Sequence, residues 1–470
     1  VDVDAVLTYD GGAWRPEMTI RCVNVSFTYH KFPYRLERGR GKLELRDDRL
    51  TFDLTALSNT EEVKLSGEFT LAGPGTHGWT EIRGEALRID ERLLKAMPDA
   101  MQRTARAFQP QGRFNLAMRL WKEAGGAGGF HKHAVVAFRE ASAKYEKFPY
   151  PLRDVHGTVE VIDDRWIFHD DLRAANDTAR ITCRGELVPQ PGGGELALTF
   201  RAQNVPIDDE LRDALNPGAQ RLWNDMKPRG SMHVDSEVRY RLNDKQLGLW
   251  VRAVPIDDGA SIEPAYFPYR MEKLQGTFTY SDGRLVLDGL RALHARTEIT
   301  ASGEAAFDLL GGWRLNLQHL FVDRLAADRD LLQALPEGLR KPMVALEPSG
   351  LFNLRGGLSM AGGGEPGKSI SSEWDLTLDC QNAGVNCGVA LRGIHGAVRL
   401  TGRSDAGRFE SSGEVRLDSI NYGDYQFTEV LGPLWIDNTQ VLMGFWADRR
   451  RGTSPERHVT GKLYGGVTVA

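Results

Sequence analysis

The chain has 470 residues, with 59 Lys plus Arg against 64 Asp plus Glu and a formal net charge of −5. No segment gathers the basic residues and stacking aromatics that nucleic-acid binding uses, so nucleic acid is excluded as a partner. A mean hydropathy of −0.38, with no apolar run near the roughly 18 residues of a spanning helix, makes this stretch water-soluble. Four cysteines are too few for a disulfide scaffold.

Taken in chain order, Val1 to His30 resembles the stretch Met232 to Glu263, and residues 1–31 are expected to be the end of a preceding repeat. The chain then starts inside a repeat and reads as a fragment, and an anchor or signal segment would lie outside it. Three copies of a unit of about 118 residues follow, over 32–147, 148–266 and 267–386, with a divergent, truncated fourth over 387–470. They are marked by Phe32-Pro33-Tyr34, Phe148-Pro149-Tyr150 and Phe267-Pro268-Tyr269; the fourth has Cys387-Gly388-Val389 there and keeps Leu391 to Gly396. The Phe-Pro-Tyr motif is expected at a sheet margin, where proline lacks a donor and keeps the chain extended.

Within each copy the pattern predicts about six antiparallel strands, because the connections are too short for crossovers. Asp47-Asp48, Asp163-Asp164 and Ser281-Asp282-Gly283 are the hairpin turns between the first two strands. After four strands a helix opens, with Asp208 as N-cap in the second copy, and a proline breaks it at Pro98, Pro217 or Pro336. Gly112, Gly230 and Gly350 close the helical part before the strands resume.

Nearly every strand is apolar on one face and polar on the other. In the first copy the apolar face carries Leu43, Leu45, Phe52, Leu54, Leu116 and Met118. In the second it carries Val159, Val161, Leu196 and Leu198, and in the third Phe278, Tyr280, Leu285, Leu287, Leu376 and Leu378. One broken helix per copy cannot shield six strands. Either the sheet curls so that these residues line a groove, or neighbouring sheets pack into sandwiches. About 24 strands at roughly 4.8 Å would give a sheet on the order of 115 Å long, a size that suits long apolar ligands.

Four local patterns invite a different chemistry. Gly362 to Ser369 matches the phosphate-loop pattern, yet Ser371 to Leu378 alternates like a strand where that loop needs a helix. His131-Lys132-His133 puts two imidazoles on one strand face without complementary ligands and reads as a solvated strand end. Asp163-Asp164, Asp170-Asp171 and Asp257-Asp258 are carboxylate pairs; the first is a turn, the last is expected in a loop, and Asp170-Asp171 has no evident partner. Cys380 and Cys387 flank a turn-like stretch, and either pair across a hairpin in an oxidising compartment or stay two semi-buried thiols. No nucleophile–base constellation is defensible, so the chain is read as a non-enzyme with no catalytic residue, metal or cofactor.

The Phe-Pro-Tyr, Leu and Gly hairpin signature (Leu152 to Val161), with the later strands Ser66-Gly67-Glu68, Arg184-Gly185-Glu186 and Ser302-Gly303-Glu304, resembles the AsmA-like superfamily of diderm bacteria. Gly461 to Thr468 is similar to the strand pattern near that family's C-terminal region, whereas the Pro-broken helix departs from its plainest members. The resemblance spans nearly the whole chain through diffuse β patterns. It implies a mainly β, elongated and repetitive antiparallel sheet curled into a groove, with a short Pro-broken helix pair per repeat. It further implies a periplasmic protein, anchored to the inner membrane by a segment outside this sequence. Its role would be to carry phospholipid or another acyl-chain lipid between membranes, with envelope proteins as partners at its ends. The competing expectation is a non-catalytic structural or adhesive β-repeat spacer of the cell envelope.

Overall fold

The computed structural model of the chain describes all residues except 10, 13, 31, 71–74, 126–128, 309–311, 336, 364–369, 406, 439–440, 444–459 and 466–470. Strand accounts for 72% of it and helix for 10%. Two compact units form, one holding Val1–Val205 and the other Trp250–Ala470, with the residues between divided among them.

Each unit is an antiparallel meander in which a strand pairs with the one before and the one after. In the first unit, Trp14–Tyr29 pairs with Phe32–Arg46, and so on through Arg49–Ser58, Glu61–Thr70 and Gly78–Arg88. In the second, the ladder runs from Leu247–Ser261 through Glu272–Ser281 to Tyr425–Asp437. Short turns connect them, as the Asp-rich junctions require: Asp47, Asp163 and Asp282 have φ of 48°, 52° and 45°.

The helices come in pairs after every fourth strand of the repeat: α1 (Glu91–Ala96) and α2 (Asp99–Ala107), α3 (Asp209–Ala214) and α4 (Pro217–Met226), α5 (Arg329–Ala334) and α6 (Glu337–Leu346). Each pair is entered in the same way. Asp90 accepts a hydrogen bond from the Leu93 amide at 2.8 Å, Asp208 from Leu211 at 3.0 Å and Asp328 from Leu331 at 2.9 Å. The Asp208 cap is thus as expected, and its two sisters act identically. Just upstream, the strand bulges at Ala86 and Arg324, both with positive φ (52° and 53°). The bulged amides donate to the Asn115 and Asn353 side chains at 2.9 and 3.0 Å. A bulge bends the strand and turns the chain towards the helices.

The exit is fixed by a close backbone approach. Gly112, Gly230 and Gly350 have φ of 105°, 110° and 93°, and a Cβ on them would lie 2.6, 2.6 and 2.9 Å from the Cα of Ala141, Ala260 and Ala383. Those alanines are 3%, 1% and 1% exposed, so neither partner has room to grow.

Three sequence expectations change. Phe32 and Phe148 do open strands, but Phe267-Pro268 lies in a turn ahead of the next strand. Asp257-Asp258 sits inside the strand Leu247–Ser261 instead of a loop, because the backbone ladder continues through it, and Asp258 pairs there with Lys273 at 2.9 Å. Asp170-Asp171 has a partner after all: Asp171 accepts from the Thr158 amide and hydroxyl at 2.9 and 2.8 Å, closing the loop between two short strands.

The repeated junction gives paired predictions. Asp328→Ala should cost about 1 kcal/mol through loss of the cap. Ala86→Gly should stabilise by up to about 1 kcal/mol, because glycine relieves the left-handed strain. Chemical denaturation of the two variants should therefore move in opposite directions.

Candidate functional site: the apolar sheet face

Backbone register carries the apolar face from strand to strand. In the first unit one row runs through Leu54, Leu65, Ile82, Met118 and Ala134, and on through Val161, Trp166, Leu187 and Leu196. The row beside it contains Leu116, Val136, Val159, Phe168 and, across Gly185, Leu198. Leu43 faces Phe52, and Leu45 faces Leu50. The ten candidates of the first two copies therefore share one face, although they were chosen strand by strand.

The second unit repeats this. Phe278 pairs with Leu287, and the row continues through Gly303, Leu317, Leu358 and Trp374. Tyr280 pairs with Leu285 one row away. Leu376 and Leu378 pair with Leu400 and Val398. Sequence reasoning did not single out Leu65, Ile82, Leu187, Leu317 or Leu358, which lie in the same rows. Their signal was the same alternation, and only the register places them beside the others.

Burial along this face is graded. Ala56, Val63 and Leu87 are 1%, 4% and 7% exposed, where they pack with Leu36, Phe114 and Leu93 of α1. In the second unit Leu331 and Ala334 of α5 pack on Tyr269, with Ile299 and Leu325 beside them. Each helix pair thus covers one end of the strands. Away from the helices the cover thins. Among the sixteen candidates Leu54, Val159, Val161 and Leu287 are buried, and the other twelve are half-buried. Most of the apolar face candidates are therefore only partly covered by protein. The exception is the last stretch, where Val415, Leu417, Val430 and Leu434 are 4–9% exposed in one cluster with Phe352 and Ile394.

The motif tyrosines belong to the covered end. Tyr34 hydrogen-bonds Ser58 at 2.6 Å, and burial pushes the phenols of Tyr34 and Tyr269 above their ordinary pKa. Tyr150 and Tyr269 are 6% and 2% exposed, so the motif tyrosines anchor the strand end, whereas Phe32 and Phe148 are 37% and 43% exposed.

The opposite face is hydrated and charged. Cross-strand pairs such as Arg49–Glu68 (3.0 Å) and Arg399–Asp375 (2.8 Å) lie there, each worth little in water. His131 pairs with Asp163 at 3.1 Å. The Glu160 carboxylate accepts from both His133 (2.7 Å) and His169 (3.0 Å). Those two hydrogen bonds hold the Glu160 carboxyl below its ordinary range.

Residues 364–369 of the phosphate-loop lookalike lie outside the described residues. The flanking segments are the strands Ser349–Gly363 and Ser371–Asn386, paired to each other, so a strand stands where a phosphate loop needs its helix. Gln381 to Asn386, expected to be turn-like, is part of that second strand. Cys380 thus lies within that strand and Cys387 just past its end, so no hairpin turn brings the two together. Both are free thiols, Cys380 buried and Cys387 exposed.

Comparison with protein-family models, with curated proteins and with solved structures finds no match.

Two titrations test this geometry. Glu160 gains stability from its lowered pKa, a small contribution at this surface. It is present above the ordinary carboxylate range and lost as pH falls through the lowered value. NMR titration of His133→Ala should return the Glu160 pKa upwards towards its ordinary value. Separately, burial pushes the Cys183 thiol to about 12, and burial with the Asp379 charge pushes Cys380 to about 11. In mildly alkaline buffer iodoacetamide should label Cys387 readily, and Cys183 and Cys380 only after denaturant is added.

Proposed function

We propose that the chain is a segment of a bridge-like lipid transfer protein, whose apolar sheet face forms a groove for phospholipid or another acyl-chain lipid. The observation that carries this reading is the state of that face. In each unit, apolar side chains stand in register across successive strands, and most remain half-buried without a protein cover. A fatty acyl chain lying across such a row leaves water at a gain of about 0.8 kcal/mol per methylene. The bulges and positive-φ glycines that recur in the strands are the devices by which a sheet curls. The hydrated opposite face supports exposure to solvent on the outside of such a groove.

The resemblance to the AsmA-like superfamily supplies the setting: the periplasm of a diderm bacterium, membrane attachment through regions outside this sequence, and envelope proteins at the ends. Transport would be passive, because nothing in an apolar track supplies energy. A second reading, a structural or adhesive spacer, is favoured by one observation. The cluster around Val415 and Leu417 is filled by the protein itself.

Native mass spectrometry of detergent-free protein decides between them. Several phospholipids per chain are expected for a conduit and none for a spacer. Leu116→Asp and Leu198→Asp, at half-buried positions, should reduce bound lipid several-fold while leaving the circular dichroism spectrum intact. Leu287→Asp is unsuited to this test: at 8% exposure a charge there should cost about 3 kcal/mol or more and report on folding instead.

A further inference from the structure

The hydrophilic face of the second unit carries a depression that the lipid reading leaves unused. One row of that face runs in register through Arg291, Thr300, Phe321, Arg355, Thr377 and Arg399, one side chain per strand. At roughly 4.8 Å per strand the row extends about 24 Å. These side chains line a cavity of about 1010 Å³. A second cavity of about 570 Å³ shares Gln318, Gly357 and Asp375 with it and adds Asn316, Ser359 and Thr401.

Three features of this row are those of a ligand site. Phe321 is 41% exposed in the middle of an otherwise polar row and lines the cavity, so its ring is accessible to a ligand there. Hydroxyl and amide groups surround it. Each arginine is held by a carboxylate: Arg291 by Glu298 at 3.0 Å, Arg355 by Asp379 at 2.9 and 3.3 Å, and Arg399 by Asp375 at 3.0 and 2.8 Å. A guanidinium has five N–H donors, so Arg355 and Arg399 keep donors free after these pairs form, and their orientation is fixed beforehand. Their side chains remain 58% and 64% exposed.

We infer that this face binds a glycan carrying sparse anionic groups. A sugar ring presents an apolar face to Phe321 and hydroxyls to Thr300, Thr377 and Gln318, while an occasional carboxylate, sulfate or phosphate meets Arg355 or Arg399. The charge pattern argues against a densely charged polymer. Glu298, Asp375 and Asp379 neutralise the arginines one for one, and a charge on every unit would face those carboxylates. A nucleic acid would also want several stacking rings along the row, and this row has a single aromatic.

The test is isothermal titration of the whole chain with hyaluronan oligosaccharides, which carry one carboxylate per two sugars. Neutral chitin oligosaccharides and oligo(dT) serve as comparators. Binding to hyaluronan is expected, weakened at least about tenfold by Arg355→Gln and by Phe321→Ala. Arg21→Gln, in the other unit, should leave it unchanged, and thermal melts should confirm that all three variants fold. No binding, binding unaltered by both row variants, or equal binding of chitin or oligo(dT) would each overturn the proposal. Because Phe321 and Arg355 lie on the wet face, lipid content should stay constant in these variants, which separates this outcome from that of the lipid reading.

Discussion

The constraint on which this structure depends is the period-two alternation of β-strands, held in register from one strand to the next. Once Leu54 faces the dry side, pairing commits Leu65, Ile82 and Met118 to that side as well. A slip of one residue would reverse a whole strand, exposing its leucines and burying its arginines and glutamates. The meander therefore has two chemically opposite surfaces by construction. How each surface is, or is not, covered is what distinguishes one part of the sheet from another.

Cover is provided locally and by a repeated device. A bulge bends the strand out, an aspartate caps a short helix, and a glycine lets the chain return against a small alanine. Ala86 with Asn115, Asp90 with Leu93, and Gly112 with Ala141 form one such junction, and sister residues rebuild it in the third copy. The helices are short, so they bury only the nearby ends of the strands. The buried Ser58 and Thr297, each 3% exposed, belong to that same covered end, Ser58 hydrogen-bonded to the motif tyrosine Tyr34 and Thr297 beside Tyr269. Beyond it the sheet is left with a half-open apolar face, which a globular protein would close with a second layer. A long apolar ligand would offer the same relief as a second layer, which is the physical basis of the proposed lipid carriage.

The local motifs show how context overrides composition. Asp163, Asp171 and Asp258 are carboxylates of similar sequence appearance. One makes a turn, one closes a loop against Thr158, and one pairs with Lys273 within a strand. The strand from Ser371 to Asn386 runs through a stretch that looks like a turn, because its partner strands continue to offer backbone hydrogen bonds. Local propensity was outvoted there by the ladder.

By itself the sequence determined the class of the fold, the strand alternation, the helix caps and the glycine exits, since these depend on residue type and short spacing. It also determined which residues of each strand are apolar together, and hence all sixteen face residues. Register and cover were decided only by the tertiary structure. Which side chain lies opposite which depends on bulges such as those at Ala86 and Arg324. Leu287 is buried while Leu285, two residues along the same strand face, is only half-buried, a difference that the alternation itself does not carry. The row of arginines around Phe321 was illegible for the same reason: its members are scattered over more than a hundred residues and become neighbours only through pairing.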